Sequence, residues 1–219
     1  MADGADLTVW GRRSSSNVQA AMWCIGELGL PCRRIDAGFV YGVTDTPEFL
    51  AMNPNGRVPV LRDGGGEPMF ESGAILRYLA ARYGDGGAFW PADPARRAQV
   101  DKWAEWAKVS VGASFTAPIF WAVVRTAPRD RDEAALARAL RVLDGYLDLA
   151  DARLSDRPYL AGDAFTLADI QLGHLLYRYY DIAIPRPERP ALARYYAGLT
   201  ARPAYGEHVM VSYEELRVT

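Results

Sequence analysis

The sequence predicts an α/β domain followed by an all-helical domain, and three observations carry this prediction. Short apolar runs alternate with helical patterns up to residue 83. Residues 84–93 then shift to glycine, aspartate, alanine and proline, and helical spacing dominates everything after them. A chain of 219 residues has room for two domains of ordinary size. We therefore expect one domain over residues 1–84, a linker over 85–93 and a second domain over 94–219.

The first two strands are predicted by two short segments. Residues 7–10 form an apolar run that is too short for a helix, and residues 31–36 form the second segment, in which Cys32 and Ile35 lie among polar neighbours. Between them, apolar residues from Val18 to Leu28 recur at spacings of three and four, which indicates an amphipathic helix that ends at Gly29. Because a helix connects the two strands, we expect them to be parallel.

The rest of the first half predicts a hairpin and a closing helix. A turn-rich stretch contains a short helix around residues 48–52. Two strands, over 58–61 and 68–70, flank a glycine cluster that is typical of a tight antiparallel hairpin. A helix then begins at Ser72. The order β-α-β-(α)-β-β-α is that of a thioredoxin-like domain.

The second half predicts a bundle of helices. Residues 95–125 form one long helix or two, with Pro118 as the expected kink or break. A leucine stripe at 136–154 and the segments 166–180 and 190–200 predict further helices. Thr166 and Asp169 have the spacing of a capping box, which is a folding signal without catalytic chemistry. His174, between apolar neighbours, is expected to be a packed core histidine.

Composition excludes several classes of function. The formal net charge is −2, so no basic excess indicates binding to nucleic acid. The longest apolar runs are short and broken by charge, so we expect no membrane span. The first ten residues lack the pattern of a signal peptide. Two cysteines provide no disulfide framework. We expect a cytoplasmic protein that binds no metal.

The first candidate site is the turn between the first strand and the first helix. A thioredoxin-like protein would carry redox cysteines here, but this chain has Ser14, Ser15, Ser16 and Asn17. A helix N-terminus with hydroxyl donors suits an anion, including the thiolate of a bound ligand. The alternative is that these residues only cap the helix.

Two further turns complete the candidate site. Pro59 stands at a strand entrance, where a cis Val58–Pro59 bond would expose the Val58 backbone for pairing with a short peptide. Arg57 would then meet a carboxylate. In the second turn, Ser72 opens a helix and Glu71 precedes it, a pair that fits the carboxylate and ammonium of an amino-acid head. A plain turn and a simple cap are the alternatives. A γ-glutamyl tripeptide thiol matches all three turns.

At this point the sequence resembles the glutathione transferase superfamily, through its NPNGRVPVL, ESGAILRYLA and FTLADI motifs and its helical second half. The resemblance implies the cytosolic glutathione transferase architecture and a bacterial-type, serine- or asparagine-type active site. It places Ser15 as the catalytic hydroxyl and Asn17 as an assisting amide, with Ser14 and Ser16 as neighbouring alternatives. It also implies that Arg57, Val58, Glu71 and Ser72 bind glutathione.

The same resemblance implies a detoxifying transferase that attacks a small hydrophobic electrophile, and a homodimer. The aromatic candidates for the electrophile pocket lie in the second half, and the alternative is that most of them belong to the core: Phe115, Phe120, Trp121 and Tyr177. The alternatives are a glutathione-dependent peroxidase, disulfide reductase, isomerase or dehalogenase on the same site. A non-catalytic glutathione-binding protein is the third possibility.

Overall fold

The computed structural model describes residues 6–218. Its strands and helices, in chain order, are β1 (Leu7–Trp10), α1 (Ser16–Glu27), β2 (Cys32–Ile35), α2 (Pro47–Met52), β3 (Val60–Asp63), β4 (Met69–Phe70), α3 (Ser72–Tyr83), α4 (Pro94–Val124), α5 (Glu133–Leu154), α6 (Leu167–Asp181), α7 (Pro190–Thr200) and α8 (Pro203–His208). A thioredoxin-like α/β half is thus followed by an all-helical half, as the sequence predicts. The exact domain boundaries stay a prediction.

The four strands form one mixed sheet in the order β2-β1-β3-β4. β1 is parallel to β2 and antiparallel to β3, and β3 is antiparallel to β4, which confirms both predicted pairings. Alternate residues serve opposite faces, as in any strand. Val9 belongs to the main core, which also contains α1 and α3 residues, whereas Val60 packs with Phe49 of α2.

The third strand begins later than predicted. The sequence predicts a strand from residue 58, but the ladder starts at Val60, opposite Trp10. Val58 and Pro59 form a cis peptide bond just before the ladder. Because proline has no N–H to donate, it is excluded from a paired position. This shortening leaves the Val58 backbone outside the sheet.

The predicted break at Pro118 does not occur. Helix α4 continues through it, with two wider π-helical stretches, over Ala107–Gly112 and Thr116–Trp121. In an α-helix the proline ring strikes the carbonyl four residues earlier, and a wider turn displaces that carbonyl. The proline is therefore accommodated inside the second π-helical stretch.

The expectation about membrane spans needs a correction. By length and composition alone, α4 is apolar enough to cross a membrane, because Lys108 is the one charge between residues 107 and 124. In this fold, however, α4 packs against α6, and its Phe115 and Ile119 are buried in the main core. A core helix of a globular protein passes the same composition test.

The two halves share one hydrophobic core. Trp23 of α1 lies edge-on to Tyr205 of α8, with their ring centroids 4.7 Å apart. At the same boundary the guanidinium of Arg202 forms a two-pronged ion pair with Glu27, with N···O distances of 2.8 and 2.6 Å. The apolar contact and the ion pair hold α1 against the helical half. They therefore fix the position of the turn that precedes α1.

The predicted capping box opens α6. The Asp169 carboxylate accepts a hydrogen bond from the Thr166 N–H at 2.7 Å. It also accepts from the Leu160 N–H and the Tyr195 hydroxyl, both at 2.9 Å. Asp169 is completely buried, and burial raises its pKa while these donors oppose the rise. One carboxylate thus ties α6 to the preceding loop and to α7.

His174 is buried in α6 as expected, and it should make the protein sensitive to acid. Its Nδ1 donates to the Ile170 carbonyl at 2.9 Å. Burial lowers its pKa from 6.5 to about 4, and the charges of Lys108 and Arg178 act in the same direction. Between pH 6.5 and pH 4, this histidine is protonated in the unfolded chain and stays neutral in the folded chain. Stability is therefore full above pH 6.5 and falls as the pH drops towards 4.

We expect this single group to reduce the free energy of unfolding by about 3 kcal/mol over that interval. Urea unfolding at pH 7 and pH 4.5 measures the effect. A His174→Leu variant should lose clearly less stability on acidification than the unaltered protein. An identical loss in both proteins would contradict the assignment.

Candidate functional site

The turn between β1 and α1 forms the floor of a cleft of about 330 Å³. Ser14, Ser15, Ser16 and Asn17 all line it. The Gly11 N–H donates to the Ile35 carbonyl at the end of β2 at 2.8 Å, and the Arg12 N–H donates to the Ala37 carbonyl just beyond β2 at 3.1 Å. These two hydrogen bonds hold the turn to the sheet. The sequence-predicted serine cluster is therefore brought into a concave site.

Ser14 is engaged by the helical half of the chain. Its hydroxyl donates to the Glu215 carboxylate, and its carbonyl accepts from the guanidinium of Arg178 at 2.5 Å. Arg178 is buried, and its guanidinium lies 4.6 Å from the centre of the Phe120 ring. Burial lowers the pKa of Arg178 to about 10, so it stays charged at neutral pH. Ser14 thus has a structural role that leaves its hydroxyl occupied.

Ser15 has a different environment. It is the residue immediately before α1, with an extended backbone (φ −82°, ψ 122°), yet its side chain makes no capping hydrogen bond to the helix. The first N–H groups of a helix have no partner within that helix, and they carry partial positive charge. The Ser15 hydroxyl and these N–H groups can therefore converge on an anion in the cleft. Ser16 begins the helix itself and also lines the cleft.

The second turn presents the Val58 backbone to the same cleft. Asn53 shapes this turn, because its side-chain amide donates to the Arg57 carbonyl at 2.7 Å while its oxygen accepts from the Asn55 N–H at 3.0 Å. The Val58–Pro59 bond is cis, as the sequence analysis considered. Arg57 and Val58 both line the cleft, and Arg57 is exposed. A peptide lying in the cleft could pair with this backbone.

The third turn joins the two halves through Ser72. Its hydroxyl donates to Asn17 Oδ1 at 3.1 Å and accepts from the Lys108 ammonium at 2.9 Å. Lys108 Nζ is also 3.9 Å from a Glu71 carboxylate oxygen. Glu71 has a left-handed backbone (φ 68°), a conformation that non-glycine residues hold mainly where the surrounding structure requires it. The turn thus provides a hydroxyl and a carboxylate, and α4 brings a cation close to both.

Lys108 is a neighbour of the third turn that the sequence analysis did not single out. Burial lowers its pKa, with Glu71 and Glu105 opposing the shift. The available signal was that Lys108 is the one charged residue in an otherwise uncharged run of eighteen residues. A charge in such a run needs a partner or a function.

The aromatic candidates for a second pocket separate into two groups. Phe115 and Phe120 are 2% and 0% exposed, so they present no surface to a ligand, and their prediction as pocket residues is not supported. Phe120 instead packs under Arg178. Tyr177 is half-buried and lies beside Tyr213 rather than in the cleft lining. Trp121, which is 44% exposed, lines the cleft.

A glycine- and aromatic-rich loop closes one side of the cleft. Gly38, Phe39 and Thr44 are among the lining residues. Both Phe39 (φ 56°) and Val43 (φ 61°) have left-handed backbones, which is a strained state for a bulky or β-branched residue. The Gly38 N–H donates to the Gly42 carbonyl at 2.8 Å and pins the loop. The loop therefore holds Phe39 over the cleft.

Comparison with protein families identifies both halves of the chain. Residues 5–81 match the glutathione S-transferase N-terminal domain, and residues 106–203 match the glutathione S-transferase C-terminal domain. Of the residues that line the cleft, the serine turn and Val58 lie in the first matched region, whereas Trp121 and Arg178 lie in the second. The cleft is thus built from both matched regions.

Individual relatives span nearly the whole chain. Glutathione S-transferase GstB of Escherichia coli is 39% identical over 206 residues, covering 94% of this chain and 98% of that protein. Glutathione S-transferase 3 of Zea mays is 33% identical and covers 94% of each. A theta class glutathione S-transferase from Xanthomonas axonopodis pv. citri, solved with glutathione bound, superposes with a TM-score of 0.89 at 44% identity, covering 95% of this chain and 99% of that one.

Proposed function

The chain belongs to the glutathione S-transferase family, and from this premise we propose that Ser15 activates the glutathione thiol for attack on a small hydrophobic electrophile. The observation that carries the proposal is the Ser15 hydroxyl, which lies at the start of α1 in the cleft and makes no capping bond to its own helix. The hydroxyl donates a hydrogen bond to the thiolate sulfur. The N–H groups at the start of α1 add their positive field.

The energy that this activation needs is modest. A thiol with a pKa of about 8.5 must shift by one to two units to be mostly ionised at neutral pH, and each unit corresponds to about 1.4 kcal/mol. One hydrogen bond to a charged group contributes about 1.5–3 kcal/mol. A single hydroxyl at a helix N-terminus is therefore sufficient. The thiolate then forms a C–S bond to the electrophilic carbon as the leaving group departs with the electrons of the broken bond.

The other turns hold the rest of glutathione in this proposal. The Val58 N–H and C=O pair with the cysteinyl backbone, and Arg57 meets the glycyl carboxylate. Glu71 accepts from the γ-glutamyl ammonium, while Ser72 and Lys108 bind the neighbouring carboxylate. The 2.9 Å hydrogen bond between Lys108 and Ser72 supports this last assignment, because it places a cation beside the hydroxyl. Asn17, which accepts from Ser72, links this head group to the start of α1.

Replacing Lys108 by methionine is expected to weaken glutathione binding by roughly tenfold, because a hydrogen-bonded charge pair with the γ-glutamyl carboxylate is lost. Titration calorimetry measures the dissociation constant. Lys102, an exposed lysine of the same helix, supplies the matched control, and Lys102→Met should bind as the unaltered protein does. Cysteinylglycine lacks the γ-glutamyl group, so its binding should not respond to Lys108→Met. Equal weakening of both ligands would refute the assignment.

We further propose that the electrophile occupies the side of the cleft with Trp121 and that the protein is a cytoplasmic homodimer. Exposed apolar side chains on α4 and α5 support an association between copies: Val109, Val142 and Leu149 are 44–56% exposed. In the expected dimer the first half of one subunit faces the second half of the other.

The proposed function is tested with 1-chloro-2,4-dinitrobenzene, a neutral aromatic electrophile that releases chloride on conjugation. Glutathione-dependent formation of the thioether above the uncatalysed rate supports a transferase. Peroxide, disulfide and haloalkane substrates offered in parallel would reveal the peroxidase, reductase or dehalogenase alternatives. Glutathione binding by calorimetry without turnover of any substrate would favour the non-catalytic alternative.

A further inference from the structure

The electrophile side of the cleft contains three arginines. Arg12 comes from the β1–α1 turn, Arg125 follows the end of α4, and Arg178 comes from α6. Arg178 is occupied by the Ser14 carbonyl and the Gln19 side chain. Within residues 6–218, the side chains of Arg12 and Arg125 form no hydrogen bond or ion pair, and the Nε atom of Arg12 is buried without a partner. Two guanidinium groups are thus available to a ligand.

Both of these guanidiniums lie close to aromatic rings that line the cleft. The Arg12 and Arg125 guanidiniums each lie 5.5 Å from the centre of the Phe39 ring, and Arg125 also lies 5.1 Å from the centre of the Trp121 ring. Stacking on aromatic rings orients the planar groups. Phe39 and Trp121 remain 45% and 44% exposed, so each ring still offers surface to a ligand.

Positive charge outweighs negative charge in this part of the cleft. Burial lowers the pKa of Arg12, and Arg125 lowers it further, while Glu215 opposes them. Glu215, which also accepts a hydrogen bond from Ser14, supplies one negative charge against the three positive charges of Arg12, Arg125 and Arg178. Like charges held close together repel unless an anion lies between them. The arrangement therefore favours a ligand that brings its own negative charge.

We propose that the electrophile is an anion, with an aromatic ring that lies against Phe39 or Trp121 and an acidic group that meets Arg12 and Arg125. Planar guanidiniums match a carboxylate best, because they can donate two parallel hydrogen bonds. This proposal rests on the proposed function, which assigns the carboxylates of glutathione to Arg57 and to the Lys108–Ser72 pair. It restricts the class of electrophile in that function to aromatic compounds that carry a negative charge.

Two electrophiles of nearly equal shape test the proposal: 4-chloro-3-nitrobenzoate and 4-chloro-3-nitrobenzamide. In both, the glutathione thiolate forms a C–S bond at the ring carbon, and chloride leaves with the electrons of the C–Cl bond. Each kcat/KM is divided by the uncatalysed rate constant with glutathione, which removes the difference in intrinsic reactivity. We expect the benzoate to be favoured by roughly tenfold or more, the effect of about one hydrogen bond to a charged group.

Arg125→Gln should lower the benzoate-to-benzamide ratio by roughly tenfold, because it removes a charge and keeps a hydrogen-bonding side chain. Arg141→Gln removes an exposed arginine of α5 that does not line the cleft, and it should leave the ratio unchanged. An equal preference for the two electrophiles in the unaltered protein would overturn the proposal. The proposal would also be overturned if Arg125→Gln lowered kcat/KM equally for both electrophiles and raised the pKa of the bound thiol. Arg125 would then stabilise the thiolate and not the electrophile.

A binding experiment separates this proposal from the proposed function. Calorimetry with 3-nitrobenzoate and 3-nitrobenzamide, both unreactive, is run in the presence of S-methylglutathione. Preference for the benzoate that is lost in Arg125→Gln supports the anion site even if no electrophile is turned over. Equal affinity for the two compounds refutes the anion site even if conjugation of 1-chloro-2,4-dinitrobenzene proceeds.

Discussion

Replacing Ser15 by alanine is expected to lower kcat/KM for glutathione conjugation by roughly 10–100-fold, which corresponds to the loss of one hydrogen bond to a charged sulfur. The pKa of the bound thiol should rise by about one to two units, because the thiolate loses a donor while the thiol loses little. The measurement is the pH dependence of kcat/KM with 1-chloro-2,4-dinitrobenzene. At pH 9 the difference in kcat/KM between Ser15→Ala and the unaltered protein should be smaller, because the glutathione thiol is then largely ionised without the Ser15 hydroxyl.

The two neighbouring serines provide matched controls for this experiment. Ser16→Ala removes a hydroxyl at the first residue of α1 and should leave the thiol pKa near that of the unaltered protein. Ser14→Ala removes the contact with Glu215, so we expect reduced stability with a smaller change in the thiol pKa. If Ser15→Ala kept full activity and an unchanged thiol pKa, another donor in this turn would be the catalytic group. Asn17→Ala is the next variant to test in that case.

Asp169→Ala is expected to destabilise the fold by about 3–5 kcal/mol, the range for loss of one member of a fully buried polar network. The change removes the common acceptor of the Leu160 and Thr166 N–H groups and of the Tyr195 hydroxyl. These donors would remain buried without a partner, which costs more than the hydrogen bonds themselves contribute. Equilibrium unfolding in urea at pH 7 measures the loss.

Asp163 offers the matched control for this second variant. It lies in the same loop region but is exposed, and Asp163→Ala should change stability by less than about 0.5 kcal/mol. Asp169→Asn keeps one acceptor oxygen, so its loss of stability should lie between those of Asp169→Ala and Asp163→Ala. A stability loss under about 1 kcal/mol for Asp169→Ala would mean that water or a shifted loop replaces the carboxylate, and the capping box would then be dispensable.

Local patterns in the sequence were sufficient for the elements of the fold. The spacing of apolar residues from Val18 to Leu28 predicts α1, and glycine and proline mark where elements end. The capping box at Thr166 and Asp169 fixes the start of α6 to one residue. These signals lie within a few residues of the structure they specify. Their physical causes, burial of one face and satisfaction of helix ends, are local as well.

The candidate site was only partly predictable, because some of its contacts join distant parts of the chain. Lys108 reaches Ser72 across 36 residues, and Glu215 reaches Ser14 across 201. No spacing in the sequence encodes either contact. The aromatic candidates in α4 show a second limit. Phe115 and Phe120 are buried, as the alternative of core residues requires, whereas Trp121 lines the cleft. Aromatic composition alone does not assign a side chain to a face, and the π-helical stretches of α4 alter the ideal helical period that would do so.

Because of those π-helical stretches, the insertion or deletion of one residue in α4 can change which side chains line the cleft. A shift of one residue in an ideal helix rotates all later side chains by about 100° around the axis. The first stretch contains Lys108, and the second ends at Trp121, with Arg125 just beyond. Loss or gain of one residue in the second stretch would therefore rotate Arg125 about the helix axis while Lys108 kept its place. The residues that α4 contributes to the cleft would change, and the hydrogen bond between Lys108 and Ser72 would remain.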